Sequence, residues 1–480
     1  MSLVRPDAMQ PDVQAAEIPR DAPRLLFGHP RGLLVLAGTE FWERLSFKAM
    51  QSLLTLYMVE QLLLPGHVEH VVGFAALRRV VESATGPLAA QPLASMIFGL
   101  YITLLTFTPL LGGVVGDRLL SQTGAVVAGA VLMAAGHLCM AFDASFLLAL
   151  LLLILGAGLL RANLSPQVGG LYSTDDRRRS TAFQIYGAAV NAGGFVAPLI
   201  AGSLGQSWGW HAGFGFAAVG MIVGLVVYLL GRGELPAQPA RAQRIQASRP
   251  LTAEEWRRVA LLIALMPLIG AFWVSQSQVW NTYNLWVRDH LELMIGGFRT
   301  PVPWLSSLDS LVPFLALPPL LMFWGWQARR GREPDELGKM AIGCFIFAAA
   351  TFWLGLGQFV LDAHGRTPLL WAVAFHLVSN IGWLFVSPTS SAFYNRTAPA
   401  PVVATIMALA LLAVSIGSLV SGRLGGFYEQ LTPLQFWSLH AAITAGGGVA
   451  ILVFGALFRK TLFGTASGEP VAESAPQPAE

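Results

Sequence analysis

Charge is scarce in this sequence. Lys, Arg, Asp and Glu make up 12% of its 480 residues, about half of the roughly 25% that soluble domains carry. So few charges cannot clothe a water-facing globule of this length. Cysteine is nearly missing: Cys139 and Cys344 lie far apart in apolar stretches, which excludes a disulfide framework or a cysteine-built metal site. Positive charge is also thin. The formal net charge of +3 reflects loop arginines and is no nucleic-acid footprint. There is no Walker-type phosphate loop, no HExxH and no metal-ligand cluster. The chain is therefore read as neither an enzyme nor an ATP-driven pump, with no cofactor and no metal. The first 30 residues are polar and contain proline, without the apolar core of a signal peptide.

What is present is long hydrophobic runs. Hydrophobic residues make up 54% of the chain, and twelve segments are long enough to cross a bilayer. They lie near 34–62, 92–116, 123–142, 145–170, 182–205, 212–231, 257–288, 306–327, 339–361, 368–393, 402–427 and 434–457. The expected fold is an all-α integral membrane protein with twelve transmembrane helices. Arginines such as Arg118, Arg177, Arg178, Arg179, Arg329, Arg330 and Arg396 fall in alternate loops, whereas the opposite loops hold only Arg78, Arg79, Arg299 and Arg366. That bias places both termini in the cytoplasm. Residues 232–256 are polar, Pro-containing and Arg-rich, and divide the spans into two sets of six. The expected organisation is a cytoplasmic tail (1–30), a six-helix bundle (31–231), a cytoplasmic linker (232–256), a second six-helix bundle (257–460) and a low-complexity, disordered tail (461–480).

The first span breaks the apolar rule. Glu40, Glu43, Arg44 and Lys48 lie near its middle. Each unshielded charge at a helix centre costs roughly 2.5–3.5 kcal/mol, on the order of 10 kcal/mol for the four. At 100° per residue Glu40, Glu43, Arg44, Phe47, Lys48 and Gln51 share one face, with Glu40–Arg44 and Arg44–Lys48 as i,i+4 neighbours. The stripe must face water or its own counter-charges. Two readings stand: a functional site inside the membrane, or a buried structural ion-pair cluster.

After the second span comes GGVVGDR, with Gly113, Asp117 and Arg118. This G-x-x-x-D-R resembles the cytoplasmic gate motif of the major facilitator superfamily, which makes Asp117 and Arg118 candidate gate residues. The resemblance implies a 6+6 architecture whose halves rock around a central site. The loop after the eighth span, QARRGREP, is a decayed copy.

Other motifs are more specific. E-x-x-E-R at 40–44, GLLRANLSPQVGGLY at 158–172, FQIYGAAVNAGGFVAPLIAG at 183–202, GWHAGFG at 209–215, FWVSQSQ at 272–278, RGREP at 330–334 and the Ser387–Pro388 pair run in order along most of residues 31–460. Together they resemble the proton-coupled oligopeptide transporter family. The resemblance implies that Glu40 and Glu43 couple proton movement and that Arg44 both serves that cluster and meets a peptide carboxylate. A carboxylate moved between wet and desolvated settings, or toward and away from a cation, takes up and releases protons. Arg161 stands where the family has a fourth-span Lys, able to pair with a carboxylate but not to give up its proton. Asn191 matches a fifth-span Asn that binds the peptide backbone. Asn163 is placed as structural.

The departures are coherent. Gln51 and Ser277 occupy the positions of the family's extracellular gate pair, so both partners are lost together, which leaves no lone buried charge. Trp383 replaces the tenth-span Glu that meets the peptide amine. Phe47 and Lys48 replace a tyrosine pair, and Trp280 a small residue. S-L-N reads S-L-D, so Asp309 becomes the carboxylate expected near the cavity on the C-terminal half: a partner of Lys48 or Arg44, an anchor for a substrate amine, or a helix-end acid. The candidate substrate-binding set is Arg44, Lys48, Tyr101, Arg161, Asn191, Ser277, Asn281, Asp309 and Trp383, with Tyr186, Trp280 and Tyr283 as further lining aromatics. His137 and His376 are expected to be packed, hydrogen-bonded histidines. The functional expectation is a proton-coupled symporter importing di- or tripeptides or related small solutes, monomeric, in the cell membrane (the inner membrane if bacterial), with protons and lipid as its partners. The alternatives are a proton-coupled carrier of a non-peptide anion, an antiporting exporter and a non-transporting receptor of the same fold.

Overall fold

The computed structural model describes residues 25–26, 28–173, 176–235 and 249–463, apart from the Asp117 side chain. Most of the tail before residue 30, most of the linker, and residues 464–480 lie outside the described residues.

A two-residue strand β1 (Leu25–Leu26) pairs antiparallel with β2 (His29–Pro30) and leads into α1 (Arg31–Tyr57). Then follow α2 (Phe74–Thr85), α3 (Ala90–Arg118), α4 (Gln122–Cys139), α5 (Phe146–Gly170), α6 (Arg178–Trp208) and α7 (Trp210–Gly231). The second half holds α8 (Ala253–Gln278), α9 (Thr282–His290), α10 (Leu308–Arg329), α11 (Glu336–Leu356), α12 (Leu369–Thr397), α13 (Val403–Ala410), α14 (Leu412–Gly425) and α15 (Pro433–Phe463). A hairpin of β3 (Met294–Ile295) and β4 (Phe298–Arg299) lies between α9 and α10. It turns on Gly296 and Gly297, both at positive φ, as a two-residue turn requires.

Among the described residues, eleven segments are long and apolar enough to cross a membrane. α1, with Glu40, Glu43, Arg44 and Lys48 in its middle, is not among them, yet it packs along α6 and α7 and also meets α3 and α5. Its charges are tolerated because they point into protein, not lipid. This is the twelve-helix, 6+6 plan. Within the first half α4 lies on α5 and α7; within the second, α8 lies on α14 and α15, and α11 on α12 and α15. α3 against α14 and α6 against α10 join the halves.

Four features differ from the sequence expectation. The seventh span, expected as one helix over 257–288, breaks at Val279–Asn281 into α8 and α9. The eleventh breaks at Leu411 into α13 and α14. α2 carries Arg78 and Arg79, two of the arginines of the opposite loops; at 12 residues it is too short to register as a span. α15 also continues to Phe463, past the boundary expected at 460.

Candidate functional site

α1 and α6 approach closely enough to enclose the charged stripe. A Cβ on Gly193 would lie 2.4 Å from the Phe41 carbonyl oxygen and 3.2 Å from Arg44 Cβ. One on Gly194 would lie 2.4 Å from Ser310 Oγ. The Gly-Gly pair of the N-A-G-G-F segment thus lets α6 sit against α1 on one side and α10 on the other.

The stripe closes into a network. Arg44 Nε donates to Glu40 Oε1 at 2.7 Å and lies 3.1 Å from Glu43 Oε2. Arg161, from α5, donates through Nε to Glu43 Oε1 at 2.9 Å, with Nη2 also 2.9 Å away. Tyr186, from α6, donates its hydroxyl to Glu40 Oε2 at 2.5 Å. Glu40 and Glu43 are 2% and 0% exposed. Carboxylates so buried need paired cations, and each has one. The Arg161 guanidinium also lies 4.2 Å over the Phe47 ring.

Lys48 stands apart. Its ammonium donates to Gln51 Oε1 at 2.9 Å and sits 3.6 Å over the Trp280 ring. No carboxylate of the described residues lies within ion-pair distance of it. Lys48, Phe47, Gln51, Arg161, Ser277, Trp280 and Trp383 line a central cavity of about 250 Å³ between the halves. A second cavity of about 190 Å³, lined by Asn191, Ser310 and Phe314 among others, lies between α6 and α10. The cavity region holds Lys48, Arg44 and Arg161 against Glu40 and Glu43, so one cation is left without a carboxylate. An anionic group entering here would meet Lys48.

The remaining candidates separate. Ser277 reaches the cavity and shares a hydrogen bond with Ser418 at 2.9 Å. Asn281 does not line either cavity, contrary to its placement as a substrate residue. It is fully buried at the α8–α9 break, where its carbonyl accepts from Thr55 at 3.4 Å and Ser95 at 3.2 Å. It pins α1 and α3 to the second half. Tyr101 is 2% exposed, its hydroxyl has no hydrogen-bond partner among the described residues, and it too is absent from the cavity wall. Tyr283 is buried away from the cavity. Asp309 is partnered by His376 and Asn380 and forms no ion pair with Lys48 or Arg44. Gln51 is occupied by Lys48 and does not meet Ser277. Arg118 is exposed; the Asp117 side chain lies outside the described residues.

His376 is hydrogen-bonded through both ring nitrogens. His137 is not: it is fully buried and neither nitrogen has a hydrogen-bond partner among the described residues, so the hydrogen bonds expected for it are not formed.

Sequence reasoning missed the contacts that join the halves. Gln91 donates to the Gly425 carbonyl at 3.0 Å, Asn284 to that of Ser52 at 3.4 Å, and Trp304 to that of Leu199 at 2.9 Å. Arg288 meets Glu60 at 3.2 Å. With the Asn281 bonds and Thr106–Ser415 at 2.8 Å, these polar contacts lie at mid-depth or toward the side holding the α1–α2 and α9–α10 loops. These contacts join the halves there. Paired opposite charges at the ends of two spans, Glu60 and Arg288, were the available signal.

The fold is shared by known proteins. The model of the POT family matches residues 123–249 and 238–437. A di-/tripeptide transporter of Lactococcus lactis subsp. cremoris is 28% identical over 90% of this chain and 96% of its own length. A peptide transporter of Yersinia enterocolitica subsp. palearctica is 28% identical over 90% and 95%. Among solved structures, a peptide transporter POT in complex with sulfate superposes with a TM-score of 0.78 at 26% identity, over 92% of this chain and 98% of that one. A mutant of a peptide transporter POT in complex with alafosfalin gives 0.77, also at 26% identity, over 92% and 97%. With the family model spanning both halves of the fold, and with the E-x-x-E-R stripe folded against α5 and α6, this chain belongs to the POT family.

Proposed function

We propose that the protein is a proton-coupled symporter that carries di- or tripeptides by alternating access. The observation that carries this reading is the α1 network beside an unpaired cation: Glu40 and Glu43, each buried against arginine, adjoin a cavity in which Lys48 has no carboxylate. In this reading Glu43 takes up a proton when Arg44 or Arg161 is drawn toward the substrate carboxylate. Lys48 and Arg44 hold that carboxylate, Ser277 and Trp383 form the opposite wall, and Asn191 serves the adjoining cavity. The peptide-transporting relatives support the substrate class. The Arg bias of the loops supports cytoplasmic termini in a cell membrane, with the termini-side opening facing the cytoplasm, and units over 31–231 and 257–460 rocking about the site as a monomer.

The test is uptake of labelled dialanine by purified protein in liposomes under an inward proton gradient. Uptake abolished by a protonophore and by Glu43→Gln supports the reading. A second reading rests on the same charge balance: three cations against two carboxylates, with Trp383 on the opposite wall, favour an anionic solute lacking a free amine. Folded protein that ignores dialanine but is stabilised against heat by an N-acetylated dipeptide would select it.

A further inference from the structure

The second half contains a polar centre that the α1 network does not use. Asp309, at the start of α10, accepts at Oδ1 from Asn380 Nδ2 at 3.0 Å and lies 2.8 Å from His376 Nδ1. His376 Nε2 lies 2.9 Å from the Tyr283 hydroxyl. His376 is 0% exposed and the Asp309 side chain 9%. The other carboxylate oxygen, Oδ2, is buried and has no hydrogen-bond partner among the described residues. Three spans, α9, α10 and α12, thus converge on one carboxylate–imidazole–phenol chain that carries an unfilled acceptor.

We propose that the Asp309–His376 pair is a second proton-binding site of the transporter, additional to the α1 carboxylates. The chemistry follows from the ring. With Nδ1–H donated to Asp309, Nε2 is free to accept, and the Tyr283 hydroxyl fills it. A proton added at Nε2 gives an imidazolium whose Nδ1–H still rests on the Asp309 carboxylate, and Nε2–H then donates to the Tyr283 oxygen. No bond other than N–H is made, and the added positive charge is met by a carboxylate already in place. The groups that face it are few. α9 brings Tyr283, α12 brings Asn380 and the Phe375 ring, and α11 brings only the Phe347 ring near Phe375. α1 brings Lys48, whose charge interacts with that of Asp309 from beyond ion-pair distance. Lys48 belongs to the other half, and Ser310, next to Asp309, packs on Gly194 of α6. A change of charge on the pair is therefore felt across the moving interface, beside the cavity where a substrate anion would meet Lys48.

This inference rests on the transport reading for its purpose, not for its test. Full-length protein labelled with ¹⁵N-histidine, in lipid, is titrated from pH 8 to pH 4, and the His376 resonances are assigned by their loss in His376→Gln. Conversion of both His376 nitrogens to protonated imidazolium shifts in the wild type, with a midpoint displaced by at least one pH unit in Asp309→Asn, is the expected result. A ring that stays neutral and unshifted over that range overturns the proposal, whether or not any peptide is carried. In liposomes, His376→Gln should lose at least tenfold in gradient-driven dialanine accumulation while exchange without a gradient stays within about threefold. Equal accumulation in variant and wild type overturns it. Absence of any wild-type uptake counts against the transport reading alone, and the titration still decides this one.

Discussion

Arg161 and Lys48 face the same cavity under different electrostatic conditions. Arg161 holds the buried Glu43, so removing it leaves a carboxylate at 0% exposure with Arg44 as its one remaining cation. Breaking a buried pair of this kind costs roughly 3 kcal/mol. Arg161→Ala should lower the thermal midpoint of the detergent-purified protein strongly and abolish transport. Lys48 has no ion pair to lose. Lys48→Gln gives up its place over Trp280, worth about 1–2 kcal/mol, but also relieves a desolvated charge. It should melt near the wild-type temperature while KM for an anionic substrate rises at least tenfold. If both variants melt alike, the division of roles is wrong. His137 poses the opposite case. A buried imidazole with two unsatisfied nitrogens forfeits hydrogen bonds it would make in water, at about 1–3 kcal/mol. His137→Phe should leave the melting temperature unchanged or raise it; a marked drop would mean that a polar partner has been overlooked.

At the scale of elements, the break between α8 and α9 and the ion pair beyond it close one side of the molecule. Glu60 and Arg288 are about a third exposed, so their contribution is roughly 0.2–1 kcal/mol. Glu60→Arg should widen the separation of spin labels on the α1–α2 and α9–α10 loops, and adding Arg288→Glu should restore it. The loop from 357 to 368 carries a pH-dependent turn. Asp362 accepts from the backbone N–H groups of Arg366 and His364, and these bonds hold its carboxyl below the ordinary value of 3.8. A depressed carboxylate contributes stability above its unfolded value and loses it as pH falls through the folded one. Amide exchange over 362–366 should therefore show constant protection from neutrality down to about pH 4, then weaken below it. Asp362→Asn should remove that acid dependence.

For the whole molecule, the placement of the polar bonds between halves predicts opening on the termini side. They run through Gln91, Ser95, Thr55, Asn281 and Asn284 toward the loop side and reach Thr103, Thr106 and Ser415 at mid-depth. A cysteine placed at Ser310, between the halves, should react with a polar maleimide from the termini side faster than from the loop side in substrate-free protein. A reversed preference would mean that the resting state in membranes is the other one.

The sequence by itself determined the twelve-span plan, the enclosure of the α1 charges and the family. The physical reason is that bilayer length and the cost of charge in lipid act on contiguous residues, so their signal survives in one dimension. The E-x-x-E-R face could be read from helical periodicity, and Arg161 from its motif. Tertiary structure decided the rest. Asn281 reads as a lining residue from its neighbours in sequence, yet the α8–α9 break turns it into a pin between α1 and α3. Asp309 reads as a partner for Lys48, yet α12 supplies His376 and Asn380 at shorter range. Such assignments depend on which side chains from distant spans fill a buried acceptor first, and that choice is set by packing across the bundle, not by spacing along the chain.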